Sequence, residues 1–394
     1  MHLTAQPVPE ASRSASPRRR VLISGGLASG GMQTHVALLC ALLREAGAEV
    51  TIASASSEWK PEDSAKVRAL GVNILASPFG FGQWKLLGKA WALAQWTLFL
   101  RSDFNVLYCI GEGRMHLRAR KFVSEDAFQV FHEIVECVPD VWKSGTLAEK
   151  MNGIIGNSDR VSQQLAERFP AVPVRTLPFC TSSRPTPPPA PRPAVGTREL
   201  RVAFLGRLVP HKRPVKLIEA FAALHCRAPL VPARLDFYGG DQAGLGTEMR
   251  AQVEKAGLEN SVAIHGGYAS DDLERILAAI DVVVLPSLYE GLPLVLVEAM
   301  LRGVPVVATS AGGTAELGRD NPDVIITPGT DWAAFEKGLM EMADRLRTGQ
   351  IDSQRLHAWT EARYGYQPVA DAWRNALLSP ETYFAAKHPA EVGA

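Results

Sequence analysis

Cysteine is scarce in this chain: five thiols among 394 residues, at positions 40, 109, 137, 180 and 226, odd in number and never in a Cys-x-x-Cys pair. That excludes a disulfide scaffold and a zinc module, and it points to reduced thiols in a cytoplasm. An excess of one charge is lacking too. Against 42 Lys and Arg stand 41 Asp and Glu, a net charge of +1, which argues against nucleic acid as a partner. No uncharged apolar run reaches the roughly 18 residues that a membrane span needs. Residues 1–19 are rich in Ser, Pro and Arg without an apolar stretch, so they read as a disordered tail and not a signal peptide. The dinucleotide pattern Gly-x-Gly-x-x-Gly is missing from the first glycine loop, and no acid ends the strand after it. No Asp-x-Asp follows any predicted strand, so neither a cofactor nor a metal is expected.

Apolar sequence, by contrast, is plentiful. At 46% hydrophobic content the chain can bury more than one core, so two domains are the default. Its organising stretch is 285–316, LPSLYEGLPLVLVEAMLRGVPVVATSAGGTAE. An apolar strand ends at Pro286, a turn passes through Gly291, and a helix follows with Pro293 expected in its first turn. Gly303 and Pro305 stop that helix, the next strand runs over 304–309, and Gly312-Gly313 opens another short helix. Strand, loop, helix, strand, loop places two βα loops side by side at the carboxyl edge of a parallel sheet, where ligands bind. Glu290 lies in the first loop. Glu298 lies inside the apolar helix, where a carboxylate is costly unless paired, and a ligand diol would pair it; a solvent-facing glutamate is the alternative. The backbone of Leu292, Pro293 and Leu294 at the helix start favours an anion.

Glu290, Gly291, Pro293, Glu298, Ala299, Met300, Gly303, Pro305, Gly312, Gly313 and Glu316 resemble the paired-glutamate signature of retaining glycosyltransferases with two Rossmann-like domains, the GT4-like group of GT-B architecture. Motif order extends the resemblance, more weakly, over residues 21–378. It implies a UDP- or GDP-sugar donor, and as acceptor a hydroxyl of a glycan, a lipid-linked or a small molecule.

Along the chain, 21–24 is a predicted strand, and Val36, Leu39, Cys40 and Leu43 keep helical spacing after a glycine-rich turn. Gly30 and Gly31 match the family's paired glycines at the donor; a turn requirement alone is the other reading. Gln33 stands where the family often has Glu. Predicted strand 128–131 ends at His132, whose place at a carboxyl edge suggests the cleft; in the family a histidine at such a position touches the donor sugar. His35, His225 and His265 carry no expected role. After strand 201–205, Arg207 and Lys212 flank a βα turn, where two cations suit a pyrophosphate. They match the family's phosphate-binding pair, while Arg213 replaces a frequent Gly. Gly267 and Tyr268 follow another strand, and in relatives such a segment lies near the base.

Residues 83–101 form a strongly apolar helix candidate, read as a crossover helix packed on the sheet. The rival reading docks Trp84, Trp96 and Phe99, with the cluster Arg114, His116, Arg118, Arg120 and Lys121, on a membrane surface. Six prolines between 185 and 193 mark a semi-rigid linker. The expected layout is therefore a first Rossmann-like domain over 20–180, linker 181–198, a nucleotide-sugar domain over 199–365, and a tail 366–394 returning to the first domain.

Together these readings predict two doubly wound α/β domains facing across a cleft, acting as a cytoplasmic transferase with peripheral membrane contact left open. His132, Glu290, Arg207 and Lys212 are the expected catalytic groups. Two alternatives stand beside it. One is a nucleotide-sugar-binding partner protein without activity; the other is a sugar-nucleotide epimerase of similar shape.

Overall fold

The computed structural model describes residues 19–25, 30–54, 59–76, 90, 93–94, 96–97, 103–111, 116–135, 145–227, 232–269 and 272–386. Two parallel sheets dominate it. The first contains β1 (Arg20–Gly25), β2 (Glu49–Ser54), β3 (Asn73–Ala76), β4 (Phe104–Ile110), β5 (Val123–Glu133), β6 (Gly153–Gly156) and β7 (Val174–Thr176), in the order β3-β2-β1-β4-β5-β6-β7. The second contains β8 (Leu200–Leu205), β9 (Ala233–Tyr238), β10 (Val262–Gly266), β11 (Val282–Leu285), β12 (Val306–Thr309) and β13 (Val324–Thr327), in the order β10-β9-β8-β11-β12-β13.

These strands are short, near-continuous runs of Val, Ile, Leu and Phe, the pattern of sheets buried on both faces. Val202 to Leu205 and Val283 to Leu285 have no exposed surface. Each sheet reverses its strand order once, between β1 and β4 and between β8 and β11. A reversal leaves a crevice at the carboxyl ends of the two diverging strands. Gly30 follows β1, Arg207 and Lys212 follow β8, and Glu290 follows β11, so the predicted residues cluster at both switch points.

Apolar residues cover the first sheet as two layers. One layer includes Val369, Ala370, Trp373 and Leu377 from the helix Tyr366–Leu378, which packs on Gly31–Glu45. The same layer includes Leu294 from the second domain. The proline-rich stretch lies against the second domain: Arg192 donates to the carbonyls of Ile280 (2.7 Å) and Leu277 (3.0 Å), and Val195 joins that domain's core.

Most of the crossover candidate at 83–101 lies outside the described residues. Its Trp96 has no exposed surface and packs in the core beside Phe122, so it is not available to a bilayer. His116 is buried likewise, bonded to Ser24 Oγ (2.8 Å) and Gly111 O (2.9 Å), and burial lowers its pKa to about 4. Arg120 donates to Gln129 (2.5 Å), which leaves Arg118 and Lys121 as the exposed cations of that cluster, Arg114 lying outside the described residues. Among the described residues no helix is long and apolar enough to cross a membrane.

Candidate functional site

At the second switch point, β8 ends in Gly206-Arg207 and a one-turn helix, Pro210–Lys212, before the long helix Pro214–Arg227. Lys212 is buried, and its Nζ meets Glu290 Oε1 at 2.5 Å. Ser287, also fully buried, donates its hydroxyl to the same oxygen at 2.8 Å. A lysine and a carboxylate at the mouth of a cleft, each little exposed, hold each other's charge until a ligand replaces one partner. Arg207 is exposed and forms no ion pair among the described residues; its Nη1 approaches Gln242 at 3.4 Å.

Arg213 explains how a side chain replaces glycine in this turn. Its backbone is left-handed, φ 52°, a conformation that disfavours side chains. The guanidinium offsets that cost by donating to the carbonyls of Pro286 (2.5 Å) and Gly329 (3.0 Å) while lying over Trp332 at 5.5 Å. It thereby ties the turn that carries Lys212 to the segment that carries Glu290.

The helix Leu294–Met300 begins one residue later than the sequence suggests: Pro293 is its N-cap, with φ −71° and ψ 108°. It has only seven residues, so its dipole is short and the two cations supply most of the positive field. Glu298 on this helix accepts no hydrogen bond at its carboxyl among the described residues. Burial of that carboxyl raises its pKa to about 7, with Arg302 acting the other way. Arg302 is itself drawn off to Glu274 at 2.6 Å and to the carbonyl of Glu298 at 2.9 Å. Tyr268, half-buried, lies close enough for Glu298 to act on its hydroxyl. Its ring meets Tyr238 edge-on at 6.5 Å, and Gly267 stands beside Gly240.

The two domains touch around this cluster. A Cβ on Gly31 would stand 3.1 Å from Leu294 Cδ1. One on Gly291 would run into the carbonyl of Ile134 and the amide of Asn157, and one on Gly313 into Ser158 at 2.5 Å. Gly30, with φ 84°, has open space around it. Glu316 crosses the seam to accept the backbone N–H of Arg160 at 3.0 Å, at the start of the helix Asp159–Arg168. Burial and the nearby Asp159 raise its pKa to about 7.

His132 departs from expectation. It has no exposed surface: its ring lies on the sheet face that the C-terminal helix covers, 5.3 Å from Trp373 and 5.2 Å from Phe179. Nδ1 meets Tyr108 Oη at 2.6 Å, and burial holds the imidazole neutral, its pKa well below the usual value. A position at a strand end placed it near the cleft, but the returning helix, remote in sequence, closes over it.

Four site residues went unassigned in the sequence. Ser287 had a local signal, three residues before Glu290. Glu316 stood in the signature without a role. Asn157 and Tyr108 had none.

Residues 191–348 match the glycosyl transferases group 1 family. The matched stretch covers β8 to β13 and is similar to a glycosyl transferases group 1 domain. Two D-inositol 3-phosphate glycosyltransferases are similar to the chain, from Corynebacterium urealyticum (31% identity over 199 residues, 48% of this chain and 46% of that protein) and Salinispora arenicola (31% over 225 residues, 52% and 50%). The chain therefore spans about half the length of the curated relatives it matches. Among solved structures, Anabaena HepE in complex with UDP and glucose superposes with a TM-score of 0.67 at 18% identity, over 92% of this chain and all of that one. Sucrose-phosphate synthase from Thermosynechococcus elongatus does so at 0.68 and 17%, over 94% and 100%. The group 1 domain thus belongs to a two-domain GT-B fold.

Proposed function

We propose that the protein is a retaining glycosyltransferase that moves a hexosyl group from a UDP- or GDP-sugar to a hydroxyl acceptor in the cytoplasm. One observation carries the reading. Lys212 and Glu290 are paired at the switch point of the matched domain; among the described residues Arg207, on the loop after β8, forms no ion pair, and the carboxyl of Glu298, on the helix Leu294–Met300, accepts no hydrogen bond.

The pair defines what a donor must do. The diphosphate takes the place of Glu290 at Lys212, and the exposed Arg207 adds a fork of donors to the same phosphates. Glu290, released, turns its charge to the sugar's hydroxyls while Ser287 still holds one of its oxygens. The leaving nucleoside diphosphate then gains negative charge beside cations already in place, which lowers the barrier. Glu298 gains its missing partners from the ribose hydroxyls, and Tyr268 bounds that pocket on the base side. Names of the similar proteins support this chemistry: HepE was solved with UDP and glucose, and the curated relatives are glycosyltransferases. An inositol phosphate or another polyol is the acceptor class those relatives favour.

Transfer in this scheme needs no metal, because two side-chain cations face the diphosphate. A panel of nucleotide sugars screened by thermal shift tests the donor: one UDP- or GDP-hexose at 100 times its dissociation constant adds about 2.7 kcal/mol. Turnover of that donor should survive EDTA. Loss of turnover with EDTA, restored by magnesium or manganese, contradicts the metal-free scheme. Release of nucleoside diphosphate with no acceptor and no glycoside product identifies an epimerase instead.

A further inference from the structure

A carboxyl group of one domain caps a helix of the other. Glu316 stands on the short helix Thr314–Leu317 of the second domain, and its Oε1 accepts the backbone N–H of Arg160 at 3.0 Å. The backbone N–H of Asp159 donates to the same carboxyl. Both amides belong to the first turn of the helix Asp159–Arg168, whose own cap, Ser158, takes only the N–H of Val161, at 3.3 Å. The first amides of a helix have no partner within it. Here the opposite domain supplies one, so the contact exists only while the domains are together. Ser158 also packs against Gly313, three residues before Glu316, where a Cβ would stand 2.5 Å from it.

The surroundings of Glu316 accept its hydrogen bonds and oppose its charge. Glu316 is buried, and Asp159 places a second carboxylate at the same helix start. Arg319 meets Asp159 at 3.5 Å, but that pair is exposed and offsets little. Tyr364, the last residue of the helix Ser353–Tyr364, faces both carboxylates; burial first and then their charges raise its pKa, so the phenol keeps its proton. Among the described residues Asp159, Arg319 and Tyr364 are the charged or titratable side chains that act on this carboxyl. A neutral carboxyl still accepts the two amides. An ionised one has lost water and gained a like charge.

We propose that Glu316 is a proton-operated latch: protonated, it caps the first-domain helix and holds the domains together, and ionised, it leaves for water and they part. Away from the seam the carboxyl returns to its ordinary range. Closing therefore takes up a proton, and closure weakens as pH rises through about 7. The same seam seats Leu294, first residue of the helix that carries Glu298, in the apolar layer of the first domain. Releasing the latch withdraws that helix from the first domain as well.

Hydrogen exchange of the Arg160 amide in the full chain, divided by its intrinsic rate at each pH, reads the closed population. Protection there should fall about tenfold between about pH 6 and about pH 8, the change in closing constant for a carboxyl raised to about 7 on closing. Small-angle scattering over the same range should show the radius of gyration increase. Glu316→Gln keeps an acceptor that never ionises, so its Arg160 amide should stay protected and the chain compact at both ends. Asp159→Asn removes the like charge and should lessen the fall. No nucleotide is added, so both measurements stand apart from the transferase reading. Protection indifferent to pH, or lost by Glu316→Gln as steeply as by the wild type, overturns the latch. Protection lost at an unchanged radius means one helix turn frays, and overturns the parting of the domains.

Discussion

The two domains treat titratable groups in opposite ways. In the first, His35, His116 and His132 are buried neutral, their pKa values lowered by desolvation, and each is held by hydrogen bonds to its neighbours. In the second, Lys212 pairs with Glu290, Arg207 stands exposed, and burial raises the Glu298 carboxyl to about 7. The difference follows from what each side must meet. A diphosphate brings charge, so its wall must answer with charge that can change partners. The buried imidazoles of the first domain meet one another through Tyr108 and need no outside charge.

Removing a charge from the second domain should therefore cost far more than removing a proton from the first. Lys212→Ala takes away the phosphate cation and strands Glu290 at a buried edge. Its kcat/KM should fall by about a hundred- to a thousandfold, measured with the best donor. Tyr108→Phe is the matched change in the first domain, and a loss there as large as that of Lys212→Ala would erase the contrast.

The two glutamates divide the second domain further. Glu298→Gln should weaken nucleoside diphosphate binding about ten- to a hundredfold, since a charge-assisted bond to the ribose is lost. Glu290→Gln should leave that affinity equal or stronger, because it frees Lys212, and should lower kcat instead. Titration calorimetry on both variants decides it; the opposite pattern would reverse the two roles.

Acidity gives a smaller effect with a definite sign. Glu298 has its pKa raised to about 7 in the unliganded protein, so below that pH its carboxyl is mostly neutral. Binding that uses the ionised form should strengthen about tenfold between about pH 6 and about pH 8. The same measurement on Glu298→Gln removes the phosphate's own titration, and an equal slope in both proteins would refute the assignment.

At the seam between the domains, Glu316 also has a pKa raised to about 7. The folded protein thus keeps a proton that the unfolded chain has released, and stability from this group declines as pH rises from about 4.5 to about 7. Glu316→Gln keeps an acceptor for the N–H of Arg160 without that charge. It should raise Tm by about 2 °C at about pH 8, with the two proteins converging near about pH 5. A Tm difference independent of pH would remove the carboxylate from the seam's energetics.

The charged wall was legible in the sequence because its chemistry is local. Arg207 and Lys212 flank one turn, and Glu290 and Glu298 belong to the next strand–loop–helix unit, so parallel pairing brings them together. The partnership of Lys212 with Glu290 was not legible, since it depends on the register of β8 beside β11. The neutral wall is hidden for a stronger reason. His132 meets Tyr108, Phe179 and Trp373, contributed by β4, by the chain leaving the first domain and by the helix that returns to it. Periodicity reports which residues of one element share a face, and it does not say which distant element covers that face. Trp96, buried beside Phe122, agrees with the reading of 83–101 as packed on the sheet and not with its rival at a membrane surface.

Titration calorimetry of UDP and of GDP into the wild-type protein and into Lys212→Ala, with EDTA present throughout, goes to the charged wall itself. One of the two nucleotides should bind the wild type without metal, and Lys212→Ala should bind it about ten- to a hundredfold more weakly. Failure of both nucleotides to bind the wild type, or equal binding by the variant, would contradict a diphosphate site built on Lys212.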